Sequence, residues 1–391
     1  MGHFRWLTAG ESHGKGLTVV IEGVPAALPL GEDDLADDLA RRQGGYGRGG
    51  RMKIEKDRAE ITAGVRHGRT LGSPIALWIQ NRDWANWTEK MAVEPIEGEV
   101  ERVTRLRPGH ADLTGALKYG FDDVRNVLER ASARETTARV AVGGVARRLL
   151  DEFGVTIRSH TISLGPVVTE PAPPFHWERV EASPVRCADA AAGEAMVAAI
   201  DAAKQDGDTL GGEVEVRARG VPLGLGSHVH WDRKLDGRLA QAICSINAFK
   251  GVSFGAGFAA TRLSGSKVHD VVLPAGQWHE RPWLHATNNA GGIEGGISTG
   301  EEIVVRAAVK PIPTLAHPLP SVDLDTGEEV LAHYERSDVC VVPAAGVVAE
   351  AMVAIVLADA WLEKFGGDSI AETRTNYEAY LGTLVPRRRR D

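Results

Sequence analysis

The chain has 391 residues, 43% of them hydrophobic and 25% charged, which is ordinary soluble globular composition with ample material for a core. A net charge of −8 argues against wholesale nucleic-acid binding, so the 45 lysines and arginines must act locally where they bind anions. The three cysteines, Cys187, Cys244 and Cys340, are too far apart for a disulfide framework or a zinc spacing and fit a reducing, cytoplasmic compartment.

The N-terminus has no signal-peptide h-region, and no apolar run is long enough to cross a bilayer. His3 to Ala9 reads as a strand, and the β-branched run from Leu17 to Pro25 as a second. Between them lies Gly10-Glu11-Ser12-His13-Gly14, a G-x-S-x-G match. A nucleophile elbow needs strand, sharp turn and then helix. Here a second strand follows, so Ser12 is not expected to attack an acyl group. Residues 32–42 form an amphipathic helix with Leu35 and Leu39 on one face, acids early, arginines late and Gly44 as a stop. Gly45 to Gly50 matches G-x-G-x-x-G but follows a helix and opens none, so it reads as a basic loop with Arg41, Arg42, Arg48 and Arg51 in or beside it.

Strands are expected at 58–62 and 75–79. A long helix should open at Ser132, with a capping box to Glu135, and run to about Phe153 before Gly154. Pro171 to Pro174 marks an exposed loop, residues 194–204 a further helix, and Glu213 to Arg219 a half-buried antiparallel strand. His228-Val229-His230 lacks a third ligand and reads as a surface strand, so no metal is expected. The apolar stretch 347–365 is interrupted by Glu350, Asp359 and Glu363 and reads as a buried helix. Arg387 to Arg390, after Pro386, read as a flexible tail (386–391). Thr18–Pro25 and its following helix resemble Val214–Pro222 and the helix bearing Leu235 and Leu239, which suggests an internal repeat.

Several segments carry chemistry. His13 and His110 each sit beside a glycine, and histidine is the usual general acid or base near neutral pH. Arg105 and Arg107 lie just upstream of His110. Arg130, Ser132 and Arg134 surround a helix start, where free N–H groups attract anions. His285 to Gly292, followed by Gly295, is a glycine-rich loop suited to turning the chain or seating a planar group. Lys310-Pro311-Ile312-Pro313-Thr314 is a proline-stiffened strand exit, and Asp338 follows Arg336 either as an ion-pair partner or as a positioned base.

Gly10–Gly14, Arg107-Pro-Gly-His-Ala-Asp112, Arg130–Thr136, Lys310–Thr314 and Arg336-Ser-Asp338, in this order, resemble chorismate synthases over residues 8 to 370. The resemblance implies an α+β fold in one domain spanning 1–391: a β-α-β sandwich of two antiparallel sheets with helices, an internal pseudo-repeat and homotetrameric assembly. It implies a carbon–oxygen lyase that removes phosphate and the C6 hydrogen from 5-enolpyruvylshikimate-3-phosphate by anti-1,4-elimination. This is the last step of the shikimate pathway, and it requires reduced FMN without net redox change. NADPH would enter only indirectly, through a separate flavin reductase.

By the same resemblance His13 protonates the departing phosphate, His110 manages the flavin N1 proton and Asp338 assists at N5. Arg130, Ala131, Ser132, Asn247, Ala248, Gly295, Lys310, Pro311, Ile312, Pro313, Thr314 and Arg336 contact the flavin. Arg42, Arg48, Arg107, Arg134 and Ser12 bind substrate or nicotinamide-nucleotide phosphate. Three other activities share parts of this pattern: an FMN-dependent oxidoreductase, a histidine phosphatase built on Arg66-His67-Gly68, and a flavin-binding module without turnover.

Overall fold

The computed structural model describes residues 3–49, 56–98, 100–170, 173–274, 283–335 and 338–384. The basic tail, Arg51, Arg336 and part of the Pro171–Pro174 loop lie outside the described residues. Helices and antiparallel sheets are mixed throughout.

The first sheet contains β1 (Arg5–Ala9), β2 (Gly16–Glu22), β3 (Glu60–Ala63) and β4 (Ile75–Gln80) in the order β1-β2-β4-β3. The β2 side chains alternate, with Leu17, Val19 and Ile21 in the core and Thr18 and Val20 outward, as a strand with one covered face requires. The turn between β1 and β2 depends on Gly10 at φ +110°, where a Cβ would stand 2.4 Å from the Gly16 carbonyl oxygen. This turn returns the chain into a strand, as expected, and no nucleophile elbow forms.

Helix α1 (Asp33–Gln43) buries Leu35 and Leu39 and ends at Gly44. Two short helices, α2 (Asp112–Tyr119) and α3 (Arg125–Ala131), precede α4 (Thr136–Asp151). The expected capping box at Ser132 is not made. Ser132 accepts from the Arg134 N–H and opens a 3-10 turn, while Arg139 and Thr8 bind the Glu135 carboxylate that would have reached back. A capping box does form downstream, between Ser369 and Glu372.

The second sheet holds β5 (Thr156–Leu164), β6 (Val167–Val168), β7 (Gly212–Arg219), β8 (Phe249–Phe254) and β9 (Ile303–Val309), all antiparallel in the order β8-β9-β7-β5-β6. Helices α5 (Ala190–Gln205) and α6 (Leu235–Cys244) flank it. His228 to His230 form an exposed bend instead of the expected strand, with His230 bound to Asp232, since no neighbouring strand accepts their backbone there.

Helix α7 (Val342–Phe365) runs through the middle of the molecule. Its apolar window has a mean hydropathy of 1.8 and is 94% buried, as expected of a core helix. It packs on α4 and on β5 and β7, while α4 contacts β1 and β2. The helices approach closely because Gly143 has no side chain: a Cβ there would lie 2.3 Å from the Ala351 Cβ.

One carboxylate sits where these layers meet. Glu350 on α7 is fully buried and accepts hydrogen bonds from Arg41 on α1, Arg147 on α4, Arg186 and the Ser159 hydroxyl on β5. Burial pushes its carboxyl up, but the charges of Arg41, Arg147 and Arg186 outweigh that and hold it at about 2. Its unfolded value is 4.5. Between these values the unfolded chain binds more protons, so the stabilisation is full above about pH 4.5 and is lost as pH falls towards 2. Glu350→Gln should lower stability by about 3–5 kcal/mol, read from urea midpoints, because the fully buried carboxylate that three guanidinium groups share is removed and only Asp38 and Glu181 are left to them. It should also flatten the acid-unfolding profile in that window. An unchanged midpoint would show that the cluster holds nothing together.

Candidate active site

A cavity of about 570 Å³ opens between the β1–β2 turn, the α2 and α3 region, the start of α4, the α6–β8 connection and the start of α7. Most of the predicted site residues converge on it. His13, His110, Asp338, Ser12, Arg42, Arg48, Arg107, Ala131, Ser132, Asn247, Ala248, Lys310, Ile312, Pro313 and Thr314 all line it, although they are scattered over three hundred residues of chain.

Four others do not line it. Arg130 donates to the carbonyl oxygens of Thr8 and Gly10 and staples the β1–β2 turn. Arg134 turns to Asp57 at 2.6 Å. Pro311 is bypassed between its neighbours. Gly295 is at the tip of the hairpin formed by Ile293–Glu294 and Ile297–Ser298. His67 is at the exposed tip of another hairpin, away from the cavity, with φ +52°, which leaves the phosphatase reading without a site. Among the described residues no cluster of side chains could hold a metal ion.

Each cavity histidine is backed by a carboxylate that sequence reasoning left without a role. The Nδ1–H of His13 donates to Glu129 Oε1 at 2.8 Å, and its backbone N–H donates to Oε2 of the same residue at 2.7 Å. The imidazole stacks on Trp87 with centroids 3.7 Å apart. Ring and backbone are therefore both held, and proton transfer falls to Nε2. His110 donates from Nδ1 to Asp112 Oδ1, and Arg107 holds both oxygens of that carboxylate at 2.8 and 3.0 Å. Burial pushes Asp112 up, yet its bonds from His110 and Arg107 hold it at about 2. Asp112 closes the quoted Arg107–Asp112 motif, so its charge two residues from His110 was a legible signal. Glu129 had only its place next to Arg130 to mark it.

The two pairs are bridged. Glu335, also on the cavity wall, lies 4.0 Å from Arg107 and 3.6 Å from Arg125. Arg125 in turn binds Glu129 at 3.0 Å. A hydrogen bond from His333 lowers Glu335 most, burial opposes it, and Arg107 and Arg125 add to the lowering, leaving it at about 2. Acids and bases thus alternate without a break from His110 to His13.

Ser12 is buried, accepts from the Ser132 hydroxyl at 3.1 Å and donates its N–H to Glu129 O, so it braces the loop. Arg42 binds Thr136 Oγ1 and Ala133 O at the start of α4. Asp338 pairs with Arg48 at 3.1 Å and accepts from the Gly49 N–H. The cavity is also lined by Leu128, Ile246, Phe249, Val341, Ala344, Ala345 and Val348, apolar side chains of the kind that seat a planar ring.

Comparison with known proteins places the whole chain in one family. The family profile for chorismate synthase matches residues 4–362. The chain is 60% identical to a chorismate synthase of Moorella thermoacetica over 96% of this chain and 98% of that one. It is 55% identical to a chorismate synthase of Symbiobacterium thermophilum over 98% and 100%. A crystal structure of a chorismate synthase superposes with a TM-score of 0.78 at 45% identity, over 97% of this chain and 98% of that one. The chain belongs to the chorismate synthase family, the lyases that catalyse the last step of the shikimate pathway.

Proposed function

We propose that this cavity is where 5-enolpyruvylshikimate-3-phosphate loses phosphate and its C6 hydrogen, with reduced FMN bound beside it. The observation that carries this reading is the pair of carboxylate-backed histidines, His13–Glu129 and His110–Asp112, opening into one cavity that also has cationic side chains and an apolar wall. The donor set fits a flavin. Val341, Ala344, Ala345 and Val348 offer a flat apolar surface, and residues 131–132, 247–248 and 310–314 would hold ring, ribityl chain and phosphate. Reduced FMN supplies electron density that assists C–O cleavage and is regained within the turnover.

The residues then have separate tasks. His13 delivers a proton from Nε2 to the departing phosphate, and Glu129 stabilises the imidazolium that precedes transfer. His110 exchanges a proton at Nε2 with the flavin, fixed in one tautomer by Asp112. Asp338 is held in place by Arg48 and the Gly49 N–H and assists removal of the C6 proton. Arg42, Arg48 and Arg107 face the substrate's anionic groups, with Arg134 supporting them through Asp57.

The same reading takes the chain as one domain and its helix layer between two sheets as the family's β-α-β sandwich. Two observations support the pseudo-repeat: β2 and β7 both run into Val-Pro, and Leu35, Leu39, Leu235 and Leu239 are all fully buried on the helices that follow. It also takes the working form as a cytoplasmic homotetramer supplied by a separate NADPH-dependent reductase. The three free cysteines accord with a reducing compartment.

Mixing the protein anaerobically with 5-enolpyruvylshikimate-3-phosphate and reduced FMN should produce chorismate absorbance, while oxidised FMN should give none. Absence of product from folded, flavin-binding protein would overturn the reading. His13→Ala and His110→Ala should each lower kcat by about 10²–10⁴-fold with unchanged thermal melts. Glu129→Gln should reproduce part of the His13 loss, at least about tenfold, because the imidazole keeps its place but loses its counter-charge. Full turnover in all three variants would remove the histidines from the mechanism.

A further inference from the structure

The cationic side chains around the cavity fall into two classes. Every cavity arginine arrives with a carboxylate of this chain: Arg42 with Asp57, Arg48 with Asp338, Arg107 with Asp112. The two cavity lysines do not. Lys310 donates to the Gly109 carbonyl at 2.9 Å, and among the described residues neither Lys310 nor Lys250 has an ion-pair partner. Burial, and then the neighbouring charge of Lys250, lower the Lys310 ammonium below its ordinary value, so the two ammonium groups sense one another. Two positive charges that sense one another and pair with no carboxylate among the described residues make an anion site.

The backbone accounts for their meeting. In a regular strand successive side chains point to opposite faces, yet Phe249 and Lys250 both line this cavity. The β8–β9 register slips between them: Phe249 faces Val309 and Gly251 faces Ala308, which leaves Lys250 as the extra residue of a β-bulge. Immediately before it Ala248 has φ +70°, an unfavourable conformation for a residue with a Cβ. Its carbonyl accepts from the Lys310 N–H at 2.9 Å, which sets Lys310 beside Ala248, two residues before Lys250. A bulge and a strained residue together bring the exposed Lys250 to the cavity rim, on the same cavity as Lys310.

The geometry points to a phosphate-monoester subsite formed by Lys250 and Lys310, in which Lys250 is a binding residue for a dianion. This rests on the reading of the cavity given above. Its occupant is either the phosphate of FMN or that of 5-enolpyruvylshikimate-3-phosphate. Both are dianionic monoesters, and both would neutralise two charges that no carboxylate among the described residues pairs with.

The test compares Lys250→Ala, Lys250→Arg and the unaltered protein, each checked by thermal melt. Binding of oxidised FMN and of riboflavin, which lacks the phosphate, is titrated by flavin fluorescence, and the KM for 5-enolpyruvylshikimate-3-phosphate is measured at saturating flavin. A flavin-phosphate site predicts that Lys250→Ala weakens FMN by about tenfold or more. Riboflavin should be unmoved and Lys250→Arg should restore most of the loss. A substrate-phosphate site predicts instead a KM raised by a similar factor with the FMN-to-riboflavin ratio kept. If Lys250→Ala moves neither quantity, the subsite is overturned while the cavity's function stands. If the unaltered protein binds neither flavin nor substrate, the functional reading itself fails.

Discussion

The Glu350 carboxylate is the point on which the interior turns. It lies at zero exposure between α1, α4, α7 and β5, and each neighbouring layer sends it a cation or a hydroxyl group. Burying such a cluster confers little net stability compared with apolar packing, because desolvating the charges offsets their attraction. Its effect is on register. Arg41 and Arg42 are consecutive, so fixing the first on Glu350 sets the second against the start of α4. The same α7 that carries Glu350 supplies the apolar face of the cavity one or two turns earlier. Geometry at the site is thus inherited from a charge cluster that touches no ligand.

Helix and strand positions were largely legible because they rest on local periodicity. Leu35 and Leu39 on α1, the alternation in β7 and the long apolar run of α7 each carry their own signal. Ser132 shows where local reading fails. The Ser-x-x-Glu spacing was present, but Glu135 had a stronger partner in Arg139 one turn on, and an ion pair displaced the cap. The bend at His228 failed for a related reason: whether a β-compatible tripeptide forms a strand depends on whether another strand lies beside it.

The site divides along the same line. His13 and His110 could be singled out because each stands next to a glycine and each fits the motif order of the family. Their carboxylates could not all be found that way. Glu129 reaches His13 across 116 positions of chain, and Glu335 joins two arginines from different segments. Lys250 was invisible for a further reason: a bulge exists only in the pairing of two strands, so no property of Phe249-Lys250-Gly251 alone announces it. Arg130 and Gly295, singled out by the motifs, are not among the residues lining the cavity, and the Arg130 side chain binds the β1–β2 turn.

The position of α7 after both sheets in chain order has a consequence for how the molecule comes into being. The first sheet and α4 are made early, yet the apolar surfaces they present are covered by a helix ending at Phe365. Until α7 emerges those surfaces lack their cover, and Arg41, Arg147 and Arg186 have only Asp38 and Glu181 as carboxylate partners. Neither the core nor the cavity is therefore complete before α7 docks, and one helix finishes both in a single step.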